Sequence, residues 1–136
     1  MKRKEWTPLD EARHQAEAVH QVVGRWVAAF NSHNPAEMAA LFASDVLFQG
    51  LGPEPLVGRD AVSDYYNAVP PYRRAVGVGV LHAYAIGDDV AGGFVDVTFR
   101  DPADWEARVY LSLVLQRAGS GWEIRQYHVS RVSDEH

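Results

Sequence analysis

The order of two hydrophobic patterns constrains this chain more than any other feature. Up to about residue 69, apolar residues recur with the spacing of a helix face, and from residue 74 onward they form four strand-like runs. The runs cover residues 74–86, 90–100, 106–117 and 122–132. The breaks between them are too short for helical crossovers, so neighbouring strands should be antiparallel. Helices first and strands after predict an α+β protein.

Two helix starts can be read near the N-terminus. The first helix should run from about residue 8 to residue 31, with Thr7 as its cap and an apolar stripe along one side. The second should begin at Pro35 after the capping residue Asn34. Its short apolar side is expected to consist of Met38, Leu41 and Phe42.

A third helix is predicted before the strand region. It covers residues 60–69 and ends at the two prolines that follow, which cannot continue a helix. Between the second and third helices, residues 46–48 form a short strand candidate. Residues 50–55 have the composition of a loop.

Composition excludes several classes of function. The net charge of −5 argues against nucleic acid as the main partner, because binding phosphates needs clustered Lys and Arg. The absence of cysteine excludes thiol nucleophiles, thiolate metal sites and disulfides. No apolar run approaches the ~20 residues of a membrane span, and no signal-peptide core is present. We expect a cytoplasmic protein with one domain over residues 1–136 and a core at about 8–132.

Neither a metal nor another cofactor is expected. His14 and His20 are six residues apart, so they do not stack on neighbouring helix turns. No His, Asp or Glu triplet has the spacing of metal ligands, and no glycine-rich loop joins a strand to a helix as phosphate binding requires.

Three segments together resemble a known family. They are WVAAFNSHN with MAALFASDVLF, VGRDAV followed by a pair of tyrosines, and GWEIRQYHVS near the end of the chain. Together they resemble the SnoaL-like branch of the nuclear transport factor two-like superfamily, nearest the SgcJ/EcaC group, over about residues 15–132. The resemblance implies a cone-shaped, cystatin-like fold, with three N-terminal helices packed on a strongly curved mixed, mainly antiparallel sheet around a pocket. It also implies a homodimer that forms through the outer sheet face.

Two assignments of the strand faces are open. In residues 106–116, successive side chains point to opposite faces of the strand. One of these faces is apolar, and we call it the leucine face; it consists of Val109, Leu111, Leu113 and Leu115. Periodicity favours this face as the inward one. The resemblance favours the opposite face, because relatives place ligand-contacting residues at the positions that match Ser112 and Val129. A last hairpin centred on residues 119–120 sets Ser112 opposite Tyr127, and we follow the resemblance.

The resemblance allows ketosteroid isomerase chemistry to be compared position by position. That enzyme uses a carboxylate base and an oxyanion hole made of a tyrosine and a neutral aspartic acid. At the matching positions this chain has Trp26 in place of the tyrosine, Ser112 in place of the aspartic acid, and Gly50 near the position of the base. None of them can perform these roles, and the matching supporting tyrosine, Tyr66, carries no activity alone. The sequence therefore argues against isomerase chemistry of this kind.

The remaining candidates form an aromatic pocket with polar anchors. Three residues are candidates for orienting a substrate and stabilising negative charge, namely Tyr110, Tyr127 and Arg125. Candidates for substrate contact are Trp26, Phe48, Tyr65, Tyr66, Ser112, Asp96, His82 and His128.

Each polar candidate also has a structural interpretation. Asp96 is the one strand carboxylate that could replace the acidic residue of SnoaL-type cyclases, but its face is open. Arg125 could instead pair with an acid at the surface. His82 and His128 could act as general bases near neutral pH, or they could be structural or interface groups.

Two functions follow from these candidates. The first is a cofactor-free acid/base enzyme of the isomerase, cyclase or hydrolase type, acting on a polyketide-like or other aromatic or cyclic metabolite in secondary metabolism. The second is a non-catalytic binding or accessory protein with the same pocket, which the missing acid/base groups favour. In both, the partners are a small hydrophobic or aromatic ligand and a second copy of the chain, with no nucleic acid and no membrane.

Overall fold

In a computed structural model, which describes residues 8–132, the helices precede a six-stranded sheet. The helices are α1 (Pro8–Asn31), α2 (Pro35–Ala40) and α3 (Arg59–Asn67). The strands are β1 (Phe42–Gln49), β2 (Leu56–Val57), β3 (Arg74–Gly87), β4 (Val90–Arg100), β5 (Glu106–Ala118) and β6 (Gly121–Arg131). The predicted α+β class is confirmed. Thr7, the predicted cap of α1, lies outside the described residues.

The strands follow the spatial order β2-β1-β6-β5-β4-β3. Neighbouring strands are antiparallel except β1 and β6, which run parallel, so the sheet is mixed as the resemblance implies. None of the described helices is long and apolar enough to cross a membrane.

The second helix is shorter and the first strand longer than the sequence predicts. Asn34 does cap α2, since its side chain accepts a hydrogen bond from Glu37 N at 3.2 Å. The helix ends at Ala40, however, and the Leu41 carbonyl accepts a hydrogen bond from Ile124 N at 2.8 Å. Pairing with β6 therefore draws Phe42 into β1 rather than into the helix.

A bulge at Arg125 sets the register of the last hairpin. Near the turn, Leu115 pairs with Ile124, but Val114 pairs with Gln126, so one residue of β6 has no partner. Every later pair is shifted by one, and Ser112 faces His128 instead of Tyr127. The predicted register is wrong over this stretch, because counting from the turn assumes a ladder without an extra residue.

Burial shows which sheet face is inward. All four residues of the leucine face are at most 3% exposed, and Tyr127 is equally buried. We call this side of the sheet, against which the helices pack, the inner face, and the opposite side the outer face. Tyr110 and Ser112 lie on the outer face. Periodicity therefore assigned β5 correctly. The assignment taken from the resemblance is wrong for Tyr110 and Ser112, whereas Tyr127 and Val129 of β6 do face inward.

Helix α1 packs against β3 and β4 at close range. A Cβ atom added to Gly93 of β4 would lie 2.6 Å from Val19 Cγ1 of the helix, a distance that real side chains do not reach. Glycine at this position therefore allows the helix backbone to approach the sheet.

The side chain of Asn31 joins the end of α1 to β3, the edge strand. Its Oδ1 accepts a hydrogen bond from Ala75 N at 2.8 Å, and its Nδ2 donates one to Ala75 O at 3.1 Å. The amide thus pairs with the strand as another strand would.

Replacing Asn31 with alanine should lower the free energy of unfolding by about 2–3 kcal/mol, because two partly buried hydrogen bonds are lost and the Ala75 backbone groups lose their partners. Urea denaturation measures this change. Asn67→Ala, at the exposed end of α3, is the matched control. If both variants are equally stable, the amide pairing contributes nothing.

Candidate functional site

A cluster of aromatic rings occupies the space between the helices and the inner face. Its buried members are Trp26, Phe30, Phe42, Phe48, Tyr66, Phe99 and Tyr127. The rings of Phe48 and Tyr127 stack with centroids 4.5 Å apart and planes 9° apart. Trp26 and Phe30 stack at 5.3 Å. Several side chains that were expected to line a pocket therefore fill much of that space themselves.

Three of these rings place polar atoms inside the cluster. Trp26 Nε1 donates a hydrogen bond to the Tyr66 hydroxyl at 3.1 Å, and the Tyr127 hydroxyl interacts with the same group. Burial raises the pKa of Tyr66 well above its usual value, although the bond from Trp26 opposes the shift. Burial, followed by the neighbouring Tyr66, raises the pKa of Tyr127 as well. Both hydroxyls therefore stay protonated at neutral pH and act as hydrogen-bond donors.

A narrow cleft remains at one end of the cluster, and we call it the aromatic cleft. Its volume is about 20 Å³. Roughly one water molecule needs 10–15 Å³ by this measure, so the cleft has room for little more. Its apolar walls come from Phe30, Leu51, Val69, Phe99 and Val129, and its polar side chains are Tyr65, Tyr66, Tyr127 and Arg73.

Tyr65 ties the loop after β1 to the edge of the cleft. Its hydroxyl accepts a hydrogen bond from Leu51 N at 2.9 Å. A Cβ atom on Gly50 would lie 2.3 Å from this hydroxyl oxygen, so only glycine leaves room for the ring. Burial raises the pKa of Tyr65, while the Leu51 amide and the charge of Arg73 partly offset that rise.

Arg73, in the segment between α3 and β3, is a functional candidate that the sequence reading missed. Its guanidinium carbon lies 3.8 Å from the ring centroid of Trp105, and its Nη2 lies 3.7 Å from Asp101 Oδ2. Its Nε is buried and has no hydrogen-bond partner. A cation two residues after a proline pair, outside any apolar pattern, was the only signal in the sequence.

The polar side chains of the cleft have one chemical character. They belong to three tyrosines and one arginine, whose hydroxyl and guanidinium groups can all donate hydrogen bonds. Among residues 8–132, no carboxylate and no imidazole lines this cleft. The arrangement suits a ligand that accepts hydrogen bonds, and it offers no base that works near neutral pH.

The structure places the expected polar residues of β4 and β5 away from the cleft. Tyr110 packs against Phe94 on the outer face, with ring centroids 5.3 Å apart. Asp96 accepts two hydrogen bonds from Arg108, at 2.9 and 3.2 Å, and this pairing lowers the pKa of its carboxyl group. The expectation that Tyr110, Ser112 and Asp96 line the interior is wrong, because all three lie on the outward side of their strands.

The other predicted site residues lie partly at the surface and partly in the interior. Arg125, the bulge residue, pairs with the exposed Asp45 at 3.4 Å, which matches the surface interpretation. His82 and His128 are exposed on the outer face. In contrast, Trp26 and Phe48 are buried in the cluster, and Tyr65, Tyr66 and Tyr127 border the cleft.

Two wider grooves lie along the outside of α1. One, of about 280 Å³, runs beside the turn between β5 and β6, and the other, of about 330 Å³, runs beside α2. Both include Arg25 and other exposed polar side chains, unlike the aromatic cleft. No group of three or more His, Asp or Glu residues within the described range could hold a metal ion.

Solved structures with the same architecture come from several bacteria. A domain of unknown function with a cystatin-like fold from Nostoc punctiforme has a TM-score of 0.77 at 17% identity and covers 88% of this chain and 78% of its own. A ketosteroid isomerase-like protein from Erwinia carotovora atroseptica has a TM-score of 0.74 at 18% identity, covering 88% and 97%. At these identities the likeness shows the fold alone, which confirms the cystatin-like class.

A third similar structure illustrates how widely this fold is used. It is described as a calcium/calmodulin dependent protein kinase II association domain from Xanthomonas campestris, with a TM-score of 0.72, 18% identity and coverage of 98% and 97%. One fold thus serves proteins described in unrelated ways, so function must be argued from the site.

Sequence comparison gives the family directly. No curated protein matches the chain. The family described as SnoaL-like domain matches residues 19–134, which is most of the sequence. This chain therefore belongs to the SnoaL-like domain family.

Proposed function

We propose that this protein binds a small molecule in the aromatic cleft without transforming it. The observation that carries the proposal is the lining, which combines apolar walls with a few convergent hydrogen-bond donors. Such a lining is typical of sites that hold an apolar ligand in a fixed orientation. The resemblance to the SgcJ/EcaC group supports a polyketide-like or other aromatic metabolite as the ligand.

The absence of a base in the cleft favours binding over catalysis. General acid/base chemistry needs a group that can accept a proton near the working pH. Tyr66 and Tyr127 cannot do so, because burial raises the pKa of each. Arg73 cannot do so either, since a guanidinium stays protonated.

A ligand larger than water must open the cleft further. We expect the loop at Leu51 to move, which breaks the hydrogen bond between Leu51 N and the Tyr65 hydroxyl. Breaking such a bond costs about 1 kcal/mol net, which apolar contact with an aromatic ligand would offset. Opening is therefore compatible with ordinary binding affinities.

The test is a thermal-shift screen with aromatic and polycyclic compounds, followed by two matched tryptophan variants. Val69→Trp would fill the cleft, whereas Val57→Trp adds the same bulk where the side chain is 69% exposed. A hit present at about 100 times its Kd should stabilise the wild type and the Val57 variant by roughly 2.7 kcal/mol, but not the Val69 variant. Equal stabilisation of all three would place the ligand elsewhere, in the grooves beside α1.

A cofactor-free acid/base enzyme is the second candidate. It is favoured by the hydroxyl of Tyr66, which Trp26 holds at a fixed position beside the cleft as a donor. Any hit should therefore be incubated with the protein and followed by mass spectrometry. Turnover that is lost in Tyr66→Phe would replace the binding proposal with this one.

The outer face supports the proposed homodimer. Apolar side chains are exposed there on the neighbouring strands β3 and β4, namely Tyr84 at 51% and Phe94 at 37%, and also on β1, namely Leu47 at 45%. Exposed apolar patches of this kind mark interaction surfaces. We propose that two copies of the chain pair through this face.

A further inference from the structure

We propose that the aromatic cleft selects ligands that carry an anionic group, a carboxylate above all, and that Arg73 receives it. This inference rests on the proposed function, because it concerns the ligand of the same cleft. It adds a chemical class to the ligand and a specificity-determining role to a residue that the sequence did not single out.

The first argument is the state of the Arg73 side chain. It lines the cleft and is 20% exposed. Its buried Nε has no hydrogen-bond partner, which is unfavourable for a charged donor unless an acceptor arrives. A carboxylate is the acceptor that a guanidinium binds best, since it can take two parallel hydrogen bonds.

The second argument is that the guanidinium is held in place without using Nε. It stacks on Trp105, and Asp101 supports it from the turn between β4 and β5. That carboxylate is itself fixed, because its Oδ1 accepts a hydrogen bond from Ala103 N at 2.9 Å. The 3.7 Å contact between Asp101 and Arg73 is too long for a hydrogen bond, so the guanidinium keeps donors for a ligand.

The third argument is the chemistry around Arg73. The hydroxyl of Tyr65 accepts from Leu51 N, and that of Tyr66 accepts from Trp26 Nε1, which leaves both hydroxyl protons for an acceptor. An anion can accept hydrogen bonds from all of these groups. A ligand that mainly donates hydrogen bonds finds few acceptor groups in the cleft. Because the chain as a whole carries a net charge of −5, selection of an anion has to come from these local groups.

The experiment compares two isosteric pairs, benzoate with benzamide and naphthoate with naphthamide, by NMR or calorimetric titration of the full chain. Each pair has one shape and differs in charge. We expect each carboxylate to bind the wild type about tenfold or more tightly than its amide, because hydrogen bonds to a charged partner are roughly twice as strong as neutral ones.

Variants test whether Arg73 causes the preference for carboxylates over amides. Arg73→Gln should remove most of the difference between carboxylate and amide. Arg100→Gln is the control, since Arg100 pairs with Glu106 at the surface and does not line the cleft. Thermal unfolding establishes that each variant is folded. If Arg73→Gln does not fold, Arg73→Lys keeps the charge but removes the Nε donor, and it should weaken carboxylate binding selectively.

Each outcome decides between the two proposals. Equal binding of carboxylates and amides overturns the anion preference and leaves the proposed function standing. A carboxylate preference that survives in the folded Arg73 variants overturns the role of Arg73. Binding of no member of either pair overturns the inference, whereas the proposed function depends on the thermal-shift screen.

Discussion

Replacing Leu113 with aspartate is expected to prevent folding, whereas replacing Ser112 with aspartate should leave the fold intact. Leu113 is 3% exposed and faces Tyr127 on the inner face. An unpaired carboxylate there costs several kcal/mol in addition to the lost packing, which is comparable to the whole stability of a typical domain, about 5–15 kcal/mol. Ser112 faces outward beside His128, where a carboxylate stays solvated.

Circular dichroism and urea denaturation of the two variants check this expectation. The reverse result, with Ser112→Asp unfolded and Leu113→Asp tolerated, would show that β5 has the register predicted without a bulge. The Ser112 variant also reports on the proposed homodimer, because a charge on the outer face should shift the sedimentation coefficient towards that of a monomer.

Raising the pH above about 10 is expected to unfold this protein steeply, because buried tyrosines resist ionisation. In the folded state the pKa of Tyr66 and that of Tyr127 lie above the ordinary value of 10.0. The unfolded chain therefore releases protons that the folded chain keeps. The stabilisation is complete below pH 10 and is lost as the pH rises, by up to about 1.4 kcal/mol per pH unit for each tyrosine.

Urea denaturation at several pH values across the alkaline range gives the slope of stability against pH. Burial also raises the pKa of Tyr65, so Tyr127→Phe removes one of three such tyrosines and should lower that slope by about a third, since the phenyl ring has no proton to lose. Tyr72→Phe, at a side chain that is 52% exposed, is the matched control. A slope that does not change in Tyr127→Phe would contradict the buried, protonated state of Tyr127.

The sequence predicted the elements well because most of them follow strong periodicity. Helix α1 and strand β4 have the predicted bounds, since an apolar stripe and a continuous apolar run leave little choice. Strand β2 was not predicted, because two residues cannot show a period. The parallel pairing of β1 with β6 depends on distant segments and was not predicted, since the family resemblance implied only that the sheet is mixed.

The interior of the candidate site was predicted only in part. The aromatic residues were recognised, but composition does not say how tightly rings pack, and the cleft is smaller than a pocket for a metabolite. The bulge at Arg125 did leave a trace in the sequence. Ile124 and Tyr127 are three residues apart with two polar residues between them, which a regular strand with both facing inward does not allow. Arg73 gave no comparable trace, because its role depends on Trp105 in a distant turn.

The parallel pairing of β1 with β6 has a consequence for how the chain acquires its structure on the ribosome. Strand β1 is synthesised soon after the first helices, yet its long-range partner is the last strand of the sheet. Until β6 emerges, the backbone N–H and C=O groups along one edge of β1 have nothing to pair with, and contacts so distant in sequence slow folding. Nascent chains should therefore depend on chaperones until β6 is available, and stalled translation before that point should yield aggregates rather than partly folded protein.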